Sequence, residues 1–214
     1  MPLYEGRHNA ENKIRISDQA RSTILTGTDK TIETIADIIA GASGAVALDG
    51  WYGVDFDELV NRLSTVLTTR GSQITFISIN SIYKSLSEIS EYKQAFITDD
   101  PAFGYCNMDG RIVDLLDLEK LGQLRNTLQN HTGQGFVVYG YGAAVPELFD
   151  TYVRTFYYDM TRQPMLWQMW DNKLIPFASD QPSTNYGWKE YYYCDYFLLH
   201  FQKHFMIERM DNYI

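Results

Sequence analysis

The sequence predicts an α/β fold, three-layer α/β/α, around a mostly parallel sheet of about five strands. Short runs rich in β-branched and other apolar residues alternate with segments whose apolar residues recur at helical spacing. The short runs are apolar throughout rather than alternating, as expected of strands covered on both faces. A Gly-containing turn, Gly50-Trp51-Tyr52-Gly53, follows the first run, and ligands in such sheets bind at the carboxyl ends of the strands.

Residues 1–28 are polar and irregular and read as an arm ahead of a domain covering 29–214. Asp29 suits the N-cap of a helix from Lys30 to Ala40, which places Ile32, Ile35, Ile38 and Ile39 on one face. Gly41-Ala42-Ser43-Gly44 ends that helix, and Ala45 to Asp49 is the first buried strand. Phe56 to Thr69 repeats Leu59, Val60, Leu63, Val66 and Leu67 at helical spacing. Gln73 to Ile79 reads as a second buried strand and Tyr83 to Lys93 as a helix, broken at Thr98-Asp99-Asp100-Pro101. Asp114 to Gln129 is amphipathic; Gly135 to Tyr141 and Tyr152 to Asp159 read as further strands. Gln163 to Asn172 and the aromatic-dense Trp188 to Arg209 read as helices.

Hydrophobic residues make up 45% of the 214, enough for a sizeable core. A formal net charge of -9 argues against a general nucleic-acid surface but leaves room for a local basic pocket. No apolar run approaches about 18 residues, so no membrane span is expected, and Met1 to Gln19 lacks a secretory pattern. Cys106 and Cys194, far apart and outside any CxxC, suggest reduced thiols and a cytoplasmic protein. His8, His131, His200 and His204 form no metal signature, although His200 and His204 lie four apart on one expected helix face.

The strand, turn and helix start around residues 45–56 make the arrangement that holds phosphate through free backbone N–H groups and the positive end of a helix dipole. A phosphate loop ends in Gly-Lys-Ser/Thr, with Lys on the phosphates and the hydroxyl on Mg²⁺. Here those places read Gly53-Val54-Asp55. Gly50, Trp51, Gly53 and Asp55 are therefore candidates for phosphate or ligand binding, while two glycines in this spacing also suit a plain tight turn. Asp55 can hold Mg²⁺ or cap the following helix. Asp49 can bind a sugar hydroxyl or a metal-bound water, or act as a turn-forming residue. Asp99, Asp100, Phe103 and Tyr105 combine carboxylates with aromatics, as a sugar or nucleoside pocket does, but Asp-Asp-Pro is also ordinary turn chemistry. Tyr191, Tyr192 and Tyr193 cannot all face inward from one helix, so part of this C-terminal aromatic face is expected to be exposed or to bury against a partner.

From Ala45 to Met169 the order of elements resembles the uridine-kinase branch of the P-loop kinases. The resemblance rests on the altered loop, on Ile77-Ser78-Ile79-Asn80-Ser81-Ile82-Tyr83-Lys84, on Thr98-Asp99-Asp100-Pro101-Ala102-Phe103, and on Val137 to Gly142 with Phe156 to Asp159. It implies that Asn80 occupies the place of an Asp that activates the substrate hydroxyl. It also implies that Arg162 is what remains of an Arg-rich lid. Gly-x-x-Gly-Val-Asp at Gly50 to Asp55 and Asp-Asp-Pro-x-Phe-Gly-Tyr at Asp99 to Tyr105 further resemble the amino-terminal region of bacterial class I mannose-6-phosphate isomerase-like proteins, where such a domain precedes a metal-binding cupin. That likeness implies a chain that stops just before the cupin.

The expected function is a catalytically degenerate kinase-like domain that binds a phosphorylated ligand or docks on and regulates the cupin. One alternative is an active nucleoside or sugar kinase with Asp49 or Asp99 as base, Asn80 orienting the acceptor, and Mg²⁺ and a nucleotide as cofactors. Another is an interaction module with a vestigial pocket, associating with a cupin or with itself through the C-terminal aromatics. Nucleic acid and membrane are not among the expected partners, and no metal ligands are assigned.

Overall fold

A computed structural model describes residues 15–130, 135–184 and 187–214. Its strands are β1 (Ala45–Gly50), β2 (Ile74–Ser78), β3 (Gly135–Tyr139), β4 (Tyr152–Tyr158) and β5 (Asn212–Tyr213). They form one sheet in the order β2-β3-β1-β4-β5, and every pair is parallel. Four of the strands lie where the sequence places them. The fifth, β5, was not foreseen, since two residues carry no periodicity. β2 is half-buried rather than buried because it is an edge strand.

The helices are α1 (Asp18–Ser22), α2 (Thr28–Ala40), α3 (Phe56–Thr69), α4 (Leu86–Gln94), α5 (Leu118–Asn130), α6 (Pro146–Phe149), α7 (Arg162–Trp170), α8 (Trp188–Glu190) and α9 (Tyr196–Ile207). α1 is capped by Ser17 and buries nothing, a short exposed helix within the arm expected to be irregular. Residues 1–14, with His8, and also His131, lie outside the described residues.

Local capping chemistry explains where the boundaries depart from periodicity. α2 starts at Thr28 with Gly27 as its N-cap, so Asp29 lies inside the first turn and pairs with Arg62 of α3 at 2.5 Å. α4 starts later than expected because Ser85 and Glu88 form a capping box. Ahead of it Ile79–Ile82 forms a 3₁₀ turn. α5 starts at Leu118, where Asp117 accepts from the amides of Glu119 and Lys120. The long C-terminal helix is not uniform: between α8 and α9, Tyr191–Asp195 forms one π-helical turn.

Successive residues of β1 and β4 face opposite layers, as pleating requires. Val46, Leu48 and Phe156 belong to the main core, with Ile35 and Ile39 of α2 and Leu59 and Leu63 of α3. Ala47 and Tyr157 turn the other way, against Ala144 and Met206 of α9. No helix among the described residues is long and apolar enough to cross a membrane.

Gly50 closes β1 against β4 more tightly than any side chain permits: a Cβ there would lie 2.5 Å from the carbonyl oxygen of Tyr158. Gly122 in α5 has nothing within 4 Å. Gly50→Ala should therefore destabilise the protein by about 1–3 kcal/mol. Gly122→Ala should stabilise it by about 0.5–1 kcal/mol. Urea unfolding of both variants checks the pair, and equal effects would contradict the close approach.

Candidate functional site

The sharp turn after β1 is held by its own hydrogen bonds. The Gly50 amide donates to Asp49 Oδ1 (2.7 Å), the Trp51 amide to the Tyr158 carbonyl (2.9 Å), the Val54 amide to Trp51 (3.3 Å) and the Phe56 amide to Val54 (3.2 Å). Gly53 sits at φ +94, a conformation that favours glycine with or without a ligand. Asp55 caps α3, its Oδ1 accepting from the Glu58 amide at 2.9 Å.

The two aromatics of the turn point inward. Tyr52 is fully buried between Tyr141 and Phe177, each with its ring centre 4.8 Å away. Its hydroxyl donates to Asp195 Oδ2 (3.0 Å) and accepts from the Phe177 amide (3.0 Å). The same carboxylate oxygen is paired with buried Lys93 at 2.7 Å. Asp195 and Cys194, both in the π turn, are buried in this interior, where burial pushes the Cys194 thiol up to about 12.

Asp49 is also fully buried, and both its oxygens are engaged. Oδ1 accepts from Gly50 and Gly142 (2.7 and 2.8 Å), and Oδ2 from the Ala144 amide and the Gln202 side chain (3.2 and 2.6 Å). Burial pushes its pKa up to about 6, with the four donors pulling the other way.

At the carboxyl ends of β1, β2 and β3 lies an open cleft of about 340 Å³. Its polar lining comprises Asp55, Asp57, Ser78, Asn80, Ser179 and Asp180, with Phe56, Tyr139 and Tyr141 as flat walls. Asn80 reaches across it: its amide donates to Asp180 Oδ1 (3.0 Å) and to the Ser179 carbonyl (3.2 Å). Burial raises the pKa values of Tyr139 and Tyr141, so both phenols are neutral hydrogen-bonding groups at physiological pH. The lining includes no Lys, Arg or His among the described residues.

Of the residues singled out in the sequence, only Asp55 and Asn80 meet in this cleft. Gly53 lines a smaller hollow beside Gln168 and Lys173. Asp49 and Gly50 are sealed behind the turn. Trp51 and Arg162 line a different pocket, on the α9 side. Asp99, Asp100, Phe103 and Tyr105 form an exposed loop elsewhere, where Asp100 Oδ1 accepts from the amides of Ala102 and Phe103 and Lys189 ties down the Thr98 carbonyl at 2.7 Å. Asp57, Tyr139, Ser179 and Asp180 were not foreseen. The Ser-Asp-Gln-Pro stretch at 179–182 carries a turn signal, but nothing local places it opposite Asn80, about a hundred residues away along the chain.

The fold is that of the P-loop kinases. A possible uridine kinase from Bacillus stearothermophilus matches with a TM-score of 0.52 over 87% of this chain and 98% of that one, at 14% identity. A proposed fructose transport system kinase from a Silicibacter species matches with a TM-score of 0.47 over 64% and 79%, at 12% identity. The first of these, at such identity, speaks for the fold alone. A family model matches residues 27–214, and the chain belongs to that family, a domain of unknown function (DUF8485). No curated protein sequence matches it.

The Asp49 pKa in the folded chain, about 6, lies above its ordinary value of 3.8. The folded state therefore keeps the proton between these values, and the side chain's contribution to stability, full below about pH 4, declines as pH rises through 6. Asp49→Asn turns an NH₂ group toward backbone donors and should cost about 2–4 kcal/mol at pH 4. The gap to wild type should narrow by pH 7; urea unfolding across that range checks this, and a widening gap would contradict it.

Proposed function

We propose that this chain is a P-loop-kinase-fold domain that has lost phosphate transfer and binds a neutral, hydroxyl-rich small molecule, a nucleoside or a sugar, in the cleft at the carboxyl ends of β1, β2 and β3. The charge of the cleft carries this reading. Its carboxylates are Asp55, Asp57 and Asp180, and no Lys, Arg or His is among its lining residues; Lys173 lies in the adjoining hollow and is paired with Asp171. Phosphoryl transfer needs cationic groups at the β- and γ-phosphates. Carboxylates, an amide and serine hydroxyls suit sugar hydroxyls, and the rings of Phe56 and Tyr139 offer flat surfaces for a base or a sugar face.

Three further features support the loss of transfer. Val54 carries no charge, and the amides of Gly50, Trp51, Val54 and Phe56 are already bonded within the protein. Asn80 can orient a hydroxyl but cannot take its proton as a base. Asp55 is engaged as a helix cap, which competes with holding Mg²⁺. The free thiols, exposed Cys106 and buried Cys194, suit a reducing compartment, and a cytoplasmic location is part of this reading.

A second reading, docking on a cupin domain or self-association, draws support from exposed aromatics. Tyr191 and Tyr193 are buried, whereas Tyr192 is 55% and Trp188 is 48% exposed with their rings 6.3 Å apart. Under this reading Tyr192→Ser should weaken association in sedimentation equilibrium while leaving the melting temperature unchanged; unaltered association would exclude this face.

A thermal-shift screen of neutral nucleosides and sugars tests the first reading. A ligand at about a hundredfold over its dissociation constant adds about 2.7 kcal/mol, or roughly 5–10 °C at this chain length. At least one such ligand should shift wild type by that amount and leave Asp180→Ala unshifted. Incubation of the same ligand with Mg²⁺-ATP should release no ADP. Phosphate transfer to the ligand would overturn the reading.

A further inference from the structure

On a chain of net charge -9, one depression is lined by cations and aromatics without a carboxylate. It lies between the end of β4, the start of α7 and the outward face of α9, with a volume of about 340 Å³. Its basic lining residues are Arg162, Lys203, His200 and His204. The last three lie at positions i, i+3 and i+4 of α9, opposite the face that buries Leu198, Leu199, Gln202 and Met206.

The walls are aromatic and ordered by packing. Trp51 meets Tyr196 edge to face at 5.9 Å, and His200 stacks on Tyr196 at 5.6 Å with 15° between the planes. Lys203 Nζ lies 5.5 Å from the centre of the Trp51 ring and is anchored from behind by Asp159 at 2.6 Å. Arg162, exposed at the rim, has no ion-pair partner among the described residues. It lies close enough to Tyr191 to offset part of the rise that burial imposes on that phenol. Asp159 neutralises Lys203 in part, whereas Arg162 has no such partner, and a bound anion recovers the Coulomb cost of holding both cations at one pocket. A divalent metal does not suit the two histidines here, because Lys203 and Arg162 share their pocket, and no group of three ligating side chains occurs among the described residues.

We propose that this pocket binds an organic phosphate monoester that carries a flat ring. The ring lies against Trp51, Tyr196 and His200, and the phosphate is held by Arg162, whose guanidinium fork matches phosphate oxygens, with Lys203 and His204 beside it. The volume is at the small end for ligand sites, so a monophosphate of a single ring system fits it better than a dinucleotide. The site is separate from the acidic cleft and does not depend on what that cleft binds.

Isothermal titration of the full chain with phenyl phosphate tests this, with phenol and inorganic phosphate as comparators. One saturable site is expected for phenyl phosphate, and each comparator should bind at least about tenfold more weakly, as loss of one charged hydrogen-bonded contact or one stacked ring implies. Arg162→Ala, at an exposed position, should melt as wild type does and lose about tenfold in affinity. His204→Ala should lose less, and added salt should weaken binding. Absence of saturable binding, or equal affinity in Arg162→Ala, would overturn the proposal. Binding lost in Asp180→Ala but kept in Arg162→Ala would overturn it as well, by placing the anion in the acidic cleft.

Discussion

The buried carboxylate of Asp49 is the interaction on which the rest of this structure hangs. It closes the central strand, and its four donors come from the strand's own end, from the turn after β3 and from α9. Three segments far apart in sequence are thereby brought to a common point. A carboxyl group this deep is tolerated only when its lone pairs are filled, so the turn at 140–145 and the face of α9 that offers Gln202 are constrained together. That turn sets Tyr141, which packs on Tyr52 and Phe56 and walls the acidic cleft.

A second buried polar group completes the frame. Tyr52, Lys93 and Asp195 join the turn after β1, α4 and the π turn ahead of α9. Such a group adds little net stability over apolar packing, because desolvation offsets the attraction, but it penalises any other docking of those elements. The π turn belongs to this arrangement. Tyr191, Cys194 and Asp195, at i, i+3 and i+4, share the inward face, and within this turn Tyr193 is buried as well while Tyr192 stays outside.

With Trp51 and Tyr52 turned into the protein, the turn after β1 serves as a partition between two pockets of opposite character. On one side Asp55, Asp57 and Asp180 make a cleft hostile to bare phosphate. On the other Arg162, Lys203 and two histidines surround aromatic rings. The two linings thus differ in charge over a short distance, and like-charge juxtaposition costs more in a partly desolvated site than at an open surface.

Apolar periodicity by itself determined the layers: four of the five strands, the buried faces of α2 and α3, and the helix cap at Asp55 are legible from residue spacing, because pleat and helix repeat are local properties. Capping moved the starts of α4 and α5 by a few residues, a local effect that apolar spacing does not encode. What the sequence could not determine is which candidates meet. Asp49, Asp99 and Arg162 each look like parts of one kinase-type site, yet one is sealed in the core, one lies on an exposed loop and one borders a separate pocket. Asp180 and Asn80 meet only because a turn long after β4 folds back over β2. Contacts between residues so far apart depend on how whole layers dock, and docking is decided by the buried polar groups that must find partners, a constraint that exists only in the assembled interior.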